Sequence, residues 1–136
     1  MKKIINQGNQ LLAMLQGSAG SGKTTICKQL AKELGLQVIF TASTGSAAAQ
    51  LHAGTINSLL HLGRSKDFCE ITDDFATPQI QREIRAKLEG IDVLVVDEVS
   101  MVTPVTLRRT DARLRQCLNP DKPFGGIHVI LIGDMW

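Results

Sequence analysis

The sequence lacks any pair of cysteines at metal-binding or redox spacing. Its three cysteines, Cys27, Cys69 and Cys117, lie far apart. This pattern indicates reduced thiols inside a cell rather than a disulfide framework. The three histidines show no metal-ligand spacing with the cysteines, so a structural zinc site is not expected.

Long apolar runs are also missing. No run approaches the roughly 18 residues of a membrane-spanning helix, and the lysines after Met1 precede no long apolar region, so we expect neither a membrane span nor a signal peptide. The net charge of the 136 residues is only +2. A charge this small creates no overall electrostatic attraction to nucleic acid or to a membrane surface. We expect one domain, or part of one, located in the nucleus or the cytoplasm (nucleoid).

A glycine-rich stretch carries the clearest chemical signal. Residues 17–24 fit the G-x-x-x-x-G-K-[ST] pattern of a phosphate-binding P-loop. They are Gly17, Ser18, Ala19, Gly20, Ser21, Gly22, Lys23 and Thr24. Glycines let the backbone turn tightly, so that its amides converge on an anion. In this pattern Lys23 reaches the β- and γ-phosphates and the Thr24 hydroxyl ligates Mg²⁺.

The context of this stretch separates a P-loop from a flexible linker with an accidental lysine. Residues 11–15 form an apolar run of strand length, and residues 24–34 carry apolar side chains at three- and four-residue spacing. Gly35 stands where a helix C-cap belongs. Strand, glycine-rich loop and helix are the arrangement that phosphate binding requires, so we predict that the chain binds a nucleoside triphosphate.

Two carboxylates supply the second half of this predicted site. Residues 91–96 form a nearly continuous apolar run, and Asp97 and Glu98 follow it directly. Asp97 suits the metal-holding Walker B role, and Glu98 suits a general base or water-orienting group. Acids also occur at strand ends simply because they meet solvent, but an upstream P-loop favours the functional interpretation. Asp134 is either a third contributor near the γ-phosphate or part of a plain strand-to-turn junction.

The remaining pattern alternates strands with helices. Strands are predicted at 11–15, 37–41, 91–96 and 127–132, and helices at 24–34, 46–51, 56–62, 78–88 and 104–117. This order is typical of a parallel, three-layer α/β sheet. We expect Gly54 to break helix 46–51 and Thr55 to be the N-cap of helix 56–62, with Gly63 as its closing residue. For helix 78–88 we expect Thr77 as the N-cap and Pro78 as the first helical residue. In the last helix we expect Leu107, Leu114 and Leu118 to face inward. Its arginines, Arg108, Arg109, Arg113 and Arg115, are expected to form a solvated outer face rather than a DNA-binding patch.

Five segments together resemble the Pif-like (RecD-type) superfamily 1 DNA helicases. They are residues 17–25, 41–48, 54–58, 95–101 and 125–136, which are similar to motifs I, Ia, an adjoining family segment, II and the start of III. The resemblance implies a truncated P-loop NTPase (RecA-like) α/β/α fold over residues 1–136. It also implies the first motor domain of an ATP-dependent DNA helicase that moves on single-stranded DNA, with roles in DNA repair, recombination and telomere maintenance.

The resemblance also implies residue roles and ligands. ATP and Mg²⁺ are the implied cofactors, and Lys23, Asp97 and Glu98 are the implied catalytic residues. Thr24 and Asp97 would hold the metal, and Thr25 and Asp134 would join residues 17–24 in contacting the nucleotide. Single-stranded DNA or DNA junctions would contact Thr44, Gly45, Thr55, Asn57 and Ser58. From the residues alone, the hydroxyls in that last set suit phosphate contacts and helix caps equally well. We expect no membrane partner and a monomer.

The sequence departs from the family pattern in three ways. Asn57 stands where the family usually has histidine, and no glutamine segment that recognises adenine precedes the first strand. By the family pattern we expect motif III to be incomplete at Trp136 and the second RecA-like domain, with its arginine finger, to be missing from these 136 residues. An arginine finger contributes several powers of ten in rate. We therefore expect these 136 residues to bind Mg-nucleotide weakly, to hydrolyse it barely and not to unwind DNA alone.

Two other functions stay open at this point. The first is a different P-loop enzyme, such as a small-molecule kinase, although no arginine-rich lid or acceptor pocket is evident. The second is a non-catalytic nucleotide-binding remnant, against which the intact Lys23, Thr24, Asp97 and Glu98 argue.

Overall fold

The described part of the chain is built around one parallel sheet. The computed structural model describes residues 10–16, 23–50, 54–62, 76–97 and 104–133. Within them the strands are β1 (Leu12–Gln16), β2 (Val38–Ala42), β3 (Gly54–Thr55), β4 (Val93–Asp97) and β5 (His128–Gly133). The helices are α1 (Lys23–Leu34), α2 (Gly45–Gln50), α3 (Ile56–Leu60), α4 (Pro78–Leu88) and α5 (Pro104–Cys117), and a 3₁₀ turn spans Pro123–Gly126. The five strands pair in the order β1-β5-β4-β2-β3, all in parallel.

Strand β4 lies at the centre of the sheet and is apolar on both faces. Val93, Leu94, Val95 and Val96 are all buried. Because side chains alternate across a strand, Val93 and Val95 face one side of the sheet, and Leu94 and Val96 face the other. A strand that carries apolar residues on both faces must be covered on both, which the near-continuous apolar run predicts.

Two separate hydrophobic clusters cover the two faces. Val93 and Val95 pack in one cluster with Cys27 of α1. Leu94 and Val96 pack in the other with residues of α3, α4 and α5, among them Leu60, Ile84 and Leu114. The sheet therefore lies between two helical layers, and the predicted three-layer α/β architecture is confirmed.

The connection from α5 to β5 requires a glycine. Gly125 has φ +66°, and a Cβ atom there would lie 2.5 Å from the carbonyl oxygen of Leu114. Asp111 also fixes this turn, because its carboxylate accepts a hydrogen bond of 2.6 Å from the amide of Phe124. The 3₁₀ turn is thus held against α5, and β5 enters the sheet between β1 and β4.

Several predicted helix ends are confirmed. Gly35 follows α1 with φ +68°, as a C-cap glycine does. Thr77 caps α4, since its hydroxyl accepts a hydrogen bond from the Ile80 amide, and Pro78 is the first helical residue. Thr55 caps α3 in the same way through the Ser58 amide.

Other details of the prediction were wrong. Helix α3 ends at Leu60 rather than Leu62, because His61 adopts the left-handed conformation with φ 52° and serves as the C-cap. The predicted closing residue, Gly63, lies outside the described residues. Gly54 belongs to a short strand, β3, rather than only breaking a helix. Pairing with the end of β2 forms this strand, and a two-residue strand leaves no periodic pattern in the sequence.

Helix α5 differs from its predicted faces at two positions. Arg113 is only 3% exposed, and its guanidinium donates a hydrogen bond to the His61 carbonyl, so this arginine does not belong to a solvated face. Leu118 is 39% exposed because it follows the last helical residue, Cys117, and no longer shares the inward stripe. Leu114 is fully buried, as predicted.

Among the helices that the structure describes, none combines the length and the apolar composition needed to cross a membrane.

Candidate nucleotide and nucleic-acid site

Parallel pairing aligns the carboxyl ends of the strands at one edge of the sheet. One continuous row of paired residues crosses all five strands. It consists of Met14, Leu131, Val96, Thr41 and Gly54. Asp97 follows Val96 in this register, and β1 ends at Gln16, immediately before the glycine-rich stretch. Because β5 separates β4 from β1, and adjacent strands are about 4.8 Å apart, Asp97 lies roughly 10 Å from β1.

Asp97 is on the α1 side of the sheet. Val93 and Val95 face the cluster that contains Cys27 of α1, and alternation places Asp97 on the same side. The electrostatics agree: burial raises the pKa of the Cys27 thiol, and the negative charge of Asp97 raises this pKa further. The carboxylate is therefore close enough to the first turns of α1 to act on a side chain there.

The start of α1 is the other component of this edge. The helix begins at Lys23, four residues and about one turn before Cys27. Its first amides have no intrahelical partner, and its dipole is positive at this end, so an anion is stabilised there. Thr25, in the first turn, is exposed. The N-terminus of α1 and the Asp97 carboxylate thus belong to the same edge of the sheet, as the sequence predicted.

Several predicted site residues fall outside the described residues. They are Gly17, Ser18, Ala19, Gly20, Ser21, Gly22, Glu98 and Asp134, together with the side chains of Lys23 and Thr24. The roles of these groups stay predictions. The described backbone does place the neighbours of each segment, because β1 ends at Gln16, β4 at Asp97 and β5 at Gly133.

The donor chemistry of this edge fits a magnesium nucleotide. Mg²⁺ takes oxygen ligands and is usually bound through one or two carboxylates together with substrate phosphates. Asp97 supplies a carboxylate at the end of the central strand, and the first amides of α1, which have no intrahelical partner, suit phosphate. Ligands of parallel α/β sheets bind outside the carboxyl ends of the strands, which is where both groups lie.

The predicted DNA-contacting residues lie beside Asp97 at the same edge. The last residue of β2, Ala42, pairs with Asp97 on one side and with Thr55 on the other. Thr44 and Gly45 follow β2, and α2 begins at Gly45. The Thr44 carbonyl accepts a hydrogen bond of 3.0 Å from the Ala48 amide. The structure therefore brings the two predicted DNA segments, 44–45 and 55–58, to the carboxyl edge that also carries Asp97. Helix α3 itself packs on the face of the sheet opposite to the Asp97 side chain.

The described contacts show how Thr55 is used. Its hydroxyl oxygen accepts a hydrogen bond of 3.1 Å from the Ser58 amide, so Thr55 is a helix cap. The hydroxyl hydrogen can still be donated to another acceptor, such as a phosphate oxygen. Asn57 and Ser58 are exposed on the first turn of α3, where their side chains can reach a ligand in solvent.

Sequence reasoning did not assign roles to Thr41 and Ser43. Thr41 is only 1% exposed, and its hydroxyl donates a hydrogen bond of 2.8 Å to the Val95 carbonyl of the neighbouring strand. The Ser43 amide donates a hydrogen bond of 3.2 Å to the Asp97 carbonyl. Threonine is ordinary in a strand, so only the pairing of β2 with β4 reveals these contacts.

A family model described as PIF1-like helicase matches residues 1–136, the whole of the sequence. The chain belongs to this family. The match confirms the resemblance to Pif-like helicases that the motif order indicated.

Curated PIF1-like relatives come from bacteria and eukaryotes. The chain is 34% identical over 125 residues to the ATP-dependent DNA helicase Pif1 of Psychrobacter sp., covering 90% of this chain and 19% of that protein. It is 34% identical over 139 residues to the ATP-dependent DNA helicase PIF1 of Saccharomyces cerevisiae, covering 98% of this chain and 16% of that protein. The chain thus spans less than a fifth of the length of these two relatives.

Solved PIF1-like structures share the fold. Pif1 from Bacteroides sp. in complex with ADP-AlF4 superposes with a TM-score of 0.74 at 32% identity, covering 98% of this chain and 30% of that one. Bacteroides Pif1 bound to single-stranded DNA superposes with a TM-score of 0.75 at 32% identity, covering 99% and 30% of the two chains. These matches confirm the RecA-like fold predicted from the sequence.

Proposed function

We propose that this chain is the ATP-binding motor domain of a DNA helicase, in which Mg-ATP binding and hydrolysis drive movement on single-stranded DNA and duplex unwinding. One observation carries the proposal. The N-terminus of α1, the Asp97 carboxylate and the two predicted DNA segments lie side by side at one edge of a parallel sheet. The family relatives named as ATP-dependent DNA helicases support this interpretation.

The nucleotide half of the site starts from the backbone. Residues 17–22 would surround the phosphates with main-chain amides, and the α1 N-terminus would add its own. Lys23 would donate to the β- and γ-phosphate oxygens, and Thr24 would offer its hydroxyl to the metal. The structure of the Bacteroides relative with ADP-AlF4 supports a nucleotide at this fold.

The acidic half of the site prepares the reaction. Asp97 would hold Mg²⁺ through a carboxylate oxygen, and Glu98 would orient the attacking water and accept its proton. Mg²⁺, when bound there, would supply positive charge that neutralises the phosphate oxygens. Asp134, next to Gly133 at the end of β5, would add a polar group near the γ-phosphate.

The nucleic-acid half uses residues 44–45 and 55–58. The backbone at Thr44 and Gly45 and the exposed side chains of Asn57 and Ser58 suit contacts to phosphate and sugar, which position a strand without reading its sequence. Structures of relatives with single-stranded DNA and with forked DNA support this class of partner. The location in nucleus or cytoplasm and the monomeric state remain proposals.

The test is ATP hydrolysis by the full-length natural protein that carries this chain. We expect single-stranded DNA to stimulate turnover, and we expect strand separation on a forked substrate that requires ATP and Mg²⁺. Stimulation by a small acceptor molecule instead of DNA would contradict the proposal and favour a kinase. Equal Mg-ATP affinity of wild type and Lys23→Ala would contradict it in favour of a non-catalytic remnant.

A further inference from the structure

Thr41 is a buried polar residue between two strands of the core. It is 1% exposed, and its hydroxyl donates to the Val95 carbonyl at 2.8 Å. Val95 lies two residues before Asp97 on β4. A buried hydroxyl is stable only when it is hydrogen-bonded, so this bond fixes the position of β2 relative to the end of β4.

A second bond extends the same link toward the site. The Ser43 amide donates to the Asp97 carbonyl at 3.2 Å, one step beyond the last residue of β2. Thr41 and Ser43 are two residues apart, as are Val95 and Asp97, so the two bonds follow the same register. The backbone of the predicted metal ligand is thereby bonded to the loop that leads into Thr44 and Gly45.

This link joins the two halves of the proposed function. On β4 it ends at Asp97, which would hold the metal of a bound nucleotide. On β2 it ends at residues 44–45, which would contact single-stranded DNA. A shift of either segment must be transmitted to the other segment, or it must break one of these two hydrogen bonds. The bond from Thr41 to Val95 is buried.

We propose that Thr41 is a positioning residue that couples DNA binding at residues 44–45 to Mg-nucleotide binding at Asp97. This inference rests on the proposed function. Thr41 touches neither ligand and acts through the backbone of Ser43 and Asp97. Coupling between two sites is reciprocal, so Mg-nucleotide changes the affinity for DNA by the same factor by which DNA changes the affinity for Mg-nucleotide.

The chain offers a matched control for the loss of a buried threonine hydroxyl. Thr110 is 3% exposed, and its hydroxyl donates to the Thr106 carbonyl at 2.8 Å. This bond lies within α5 and joins no two strands. Thr41→Val and Thr110→Val therefore remove bonds of equal length from similarly buried sites, but only Thr41→Val removes a link to the site.

The experiment measures the affinity of the full-length natural protein for a fluorescent single-stranded oligonucleotide, with and without Mg²⁺ and a non-hydrolysable ATP analogue. The ratio of the two dissociation constants is the coupling factor. We expect Thr41→Val to move this factor toward 1 by about fivefold, which corresponds to the roughly 1 kcal/mol that a hydrogen bond of this kind contributes. Thr41→Ser, which keeps the hydroxyl, should restore the wild-type factor.

Hydrogen exchange gives a readout without nucleotide or DNA. The Ser43 amide should exchange faster in Thr41→Val than in wild type, and at the wild-type rate in Thr110→Val. Ser43→Pro is a second variant that breaks the link outside the core, because proline has no amide hydrogen to donate. Ser43→Pro should also move the coupling factor toward 1, so the inference can be tested even if Thr41→Val fails to fold.

The outcomes separate this inference from the proposed function. An unchanged coupling factor in Thr41→Val and Ser43→Pro, in a protein that binds both ligands, overturns the inference alone. An equal reduction in Thr110→Val also overturns it, because the effect would then be one of general stability. A wild-type protein that binds neither ligand contradicts the proposed function, and the inference with it.

Discussion

At the scale of single residues, Asp97 is the described side chain most important to the proposed site. Its side chain lies on the α1 face of the central strand, and its charge acts on Cys27. Asp92 precedes the same strand at the opposite edge of the sheet, where its carboxylate accepts a hydrogen bond of 2.8 Å from the Gln37 amide. Asp92 and Asp97 thus stand at opposite ends of β4, which makes Asp92 the matched control for Asp97.

Asp97→Asn should weaken Mg-ATP binding by about tenfold or more, because a charged ligand to the metal is lost. Asp92→Asn should leave the affinity unchanged. Calorimetric titration of both variants with Mg-ATP measures these two affinities.

Asp97→Asn should also lower the pKa of the Cys27 thiol and speed its alkylation, since one of the two causes that raise this pKa is removed. Equal nucleotide affinity and equal alkylation rates in the two variants would refute the position assigned to Asp97.

Cys27 also gives a pH dependence of stability. Burial and the Asp97 charge raise the thiol pKa above the ordinary 9.0. Above pH 9.0 the unfolded chain releases this proton while the folded chain retains it. The stabilising contribution is therefore complete below that pH and decreases as pH rises toward the folded pKa.

Urea unfolding between about pH 8 and about pH 10 measures this effect. The free energy of unfolding should decrease with rising pH, and Cys27→Ala should decrease less steeply. Some slope should remain in the variant, because burial also raises the pKa of Cys117 although Arg113 and Arg85 lower it. Identical slopes for wild type and Cys27→Ala would show that Cys27 is not linked to folding.

At the scale of elements, α3 combines a structural cap with predicted DNA contacts. Thr55 caps α3, and Thr77 caps α4 through a hydrogen bond of 3.3 Å from the Ile80 amide. Replacement of either threonine by alanine should lower the free energy of unfolding of the protein by about 1 kcal/mol. Only Thr55 lies at the carboxyl edge of the sheet, beside Asp97.

Thr55→Ala should therefore weaken binding of single-stranded DNA as well as stability, whereas Thr77→Ala should reduce stability alone. Asn57→Ala, at an exposed position, should weaken DNA binding without a change in unfolding. Fluorescence anisotropy with an oligonucleotide, together with urea unfolding, measures both quantities. If Asn57→Ala and Thr55→Ala bound DNA as wild type does, residues 55–58 would be structural caps and nothing more.

At the scale of the whole molecule, the chain spans 16% and 19% of two relatives named as ATP-dependent DNA helicases. We expect the 136-residue chain alone to bind Mg-ATP weakly and to leave a forked DNA duplex intact. Equilibrium nucleotide binding and a strand-separation assay check the two parts of this expectation. DNA-stimulated turnover or unwinding by the isolated chain would contradict it.

The sequence predicted those parts of the fold that have a period or a cap. The buried run at 93–96, the caps at Thr55 and Thr77 and the end of α1 at Gly35 were all predicted, because each depends on neighbours in the sequence. Strand β3, the burial of Arg113 and the left-handed His61 were not predicted. Each depends on contacts between segments distant in sequence, such as the Arg113 guanidinium with the His61 carbonyl.

The same distinction holds for the candidate site. Asp97 was predicted because an apolar strand ends there, and its place at the carboxyl edge follows from parallel pairing. Thr41 and Ser43 lie in the segment 41–48 that resembles motif Ia, but the sequence assigned neither a role, since their partners, Val95 and Asp97, are more than fifty residues away. Pattern reasoning therefore located the acid of the site but not the bonds that position it.

In the proposed function, Lys23 and Asp97 act on the same magnesium nucleotide. The most direct measurement is the Mg-ATP affinity of Lys23→Ala, with Lys28→Ala as the control. Lys28 lies on the same helix, with its ammonium 5.3 Å from the ring centre of Phe40. We predict that Lys23→Ala weakens binding by about tenfold or more and that Lys28→Ala binds as wild type does. Wild-type affinity in Lys23→Ala would contradict the account.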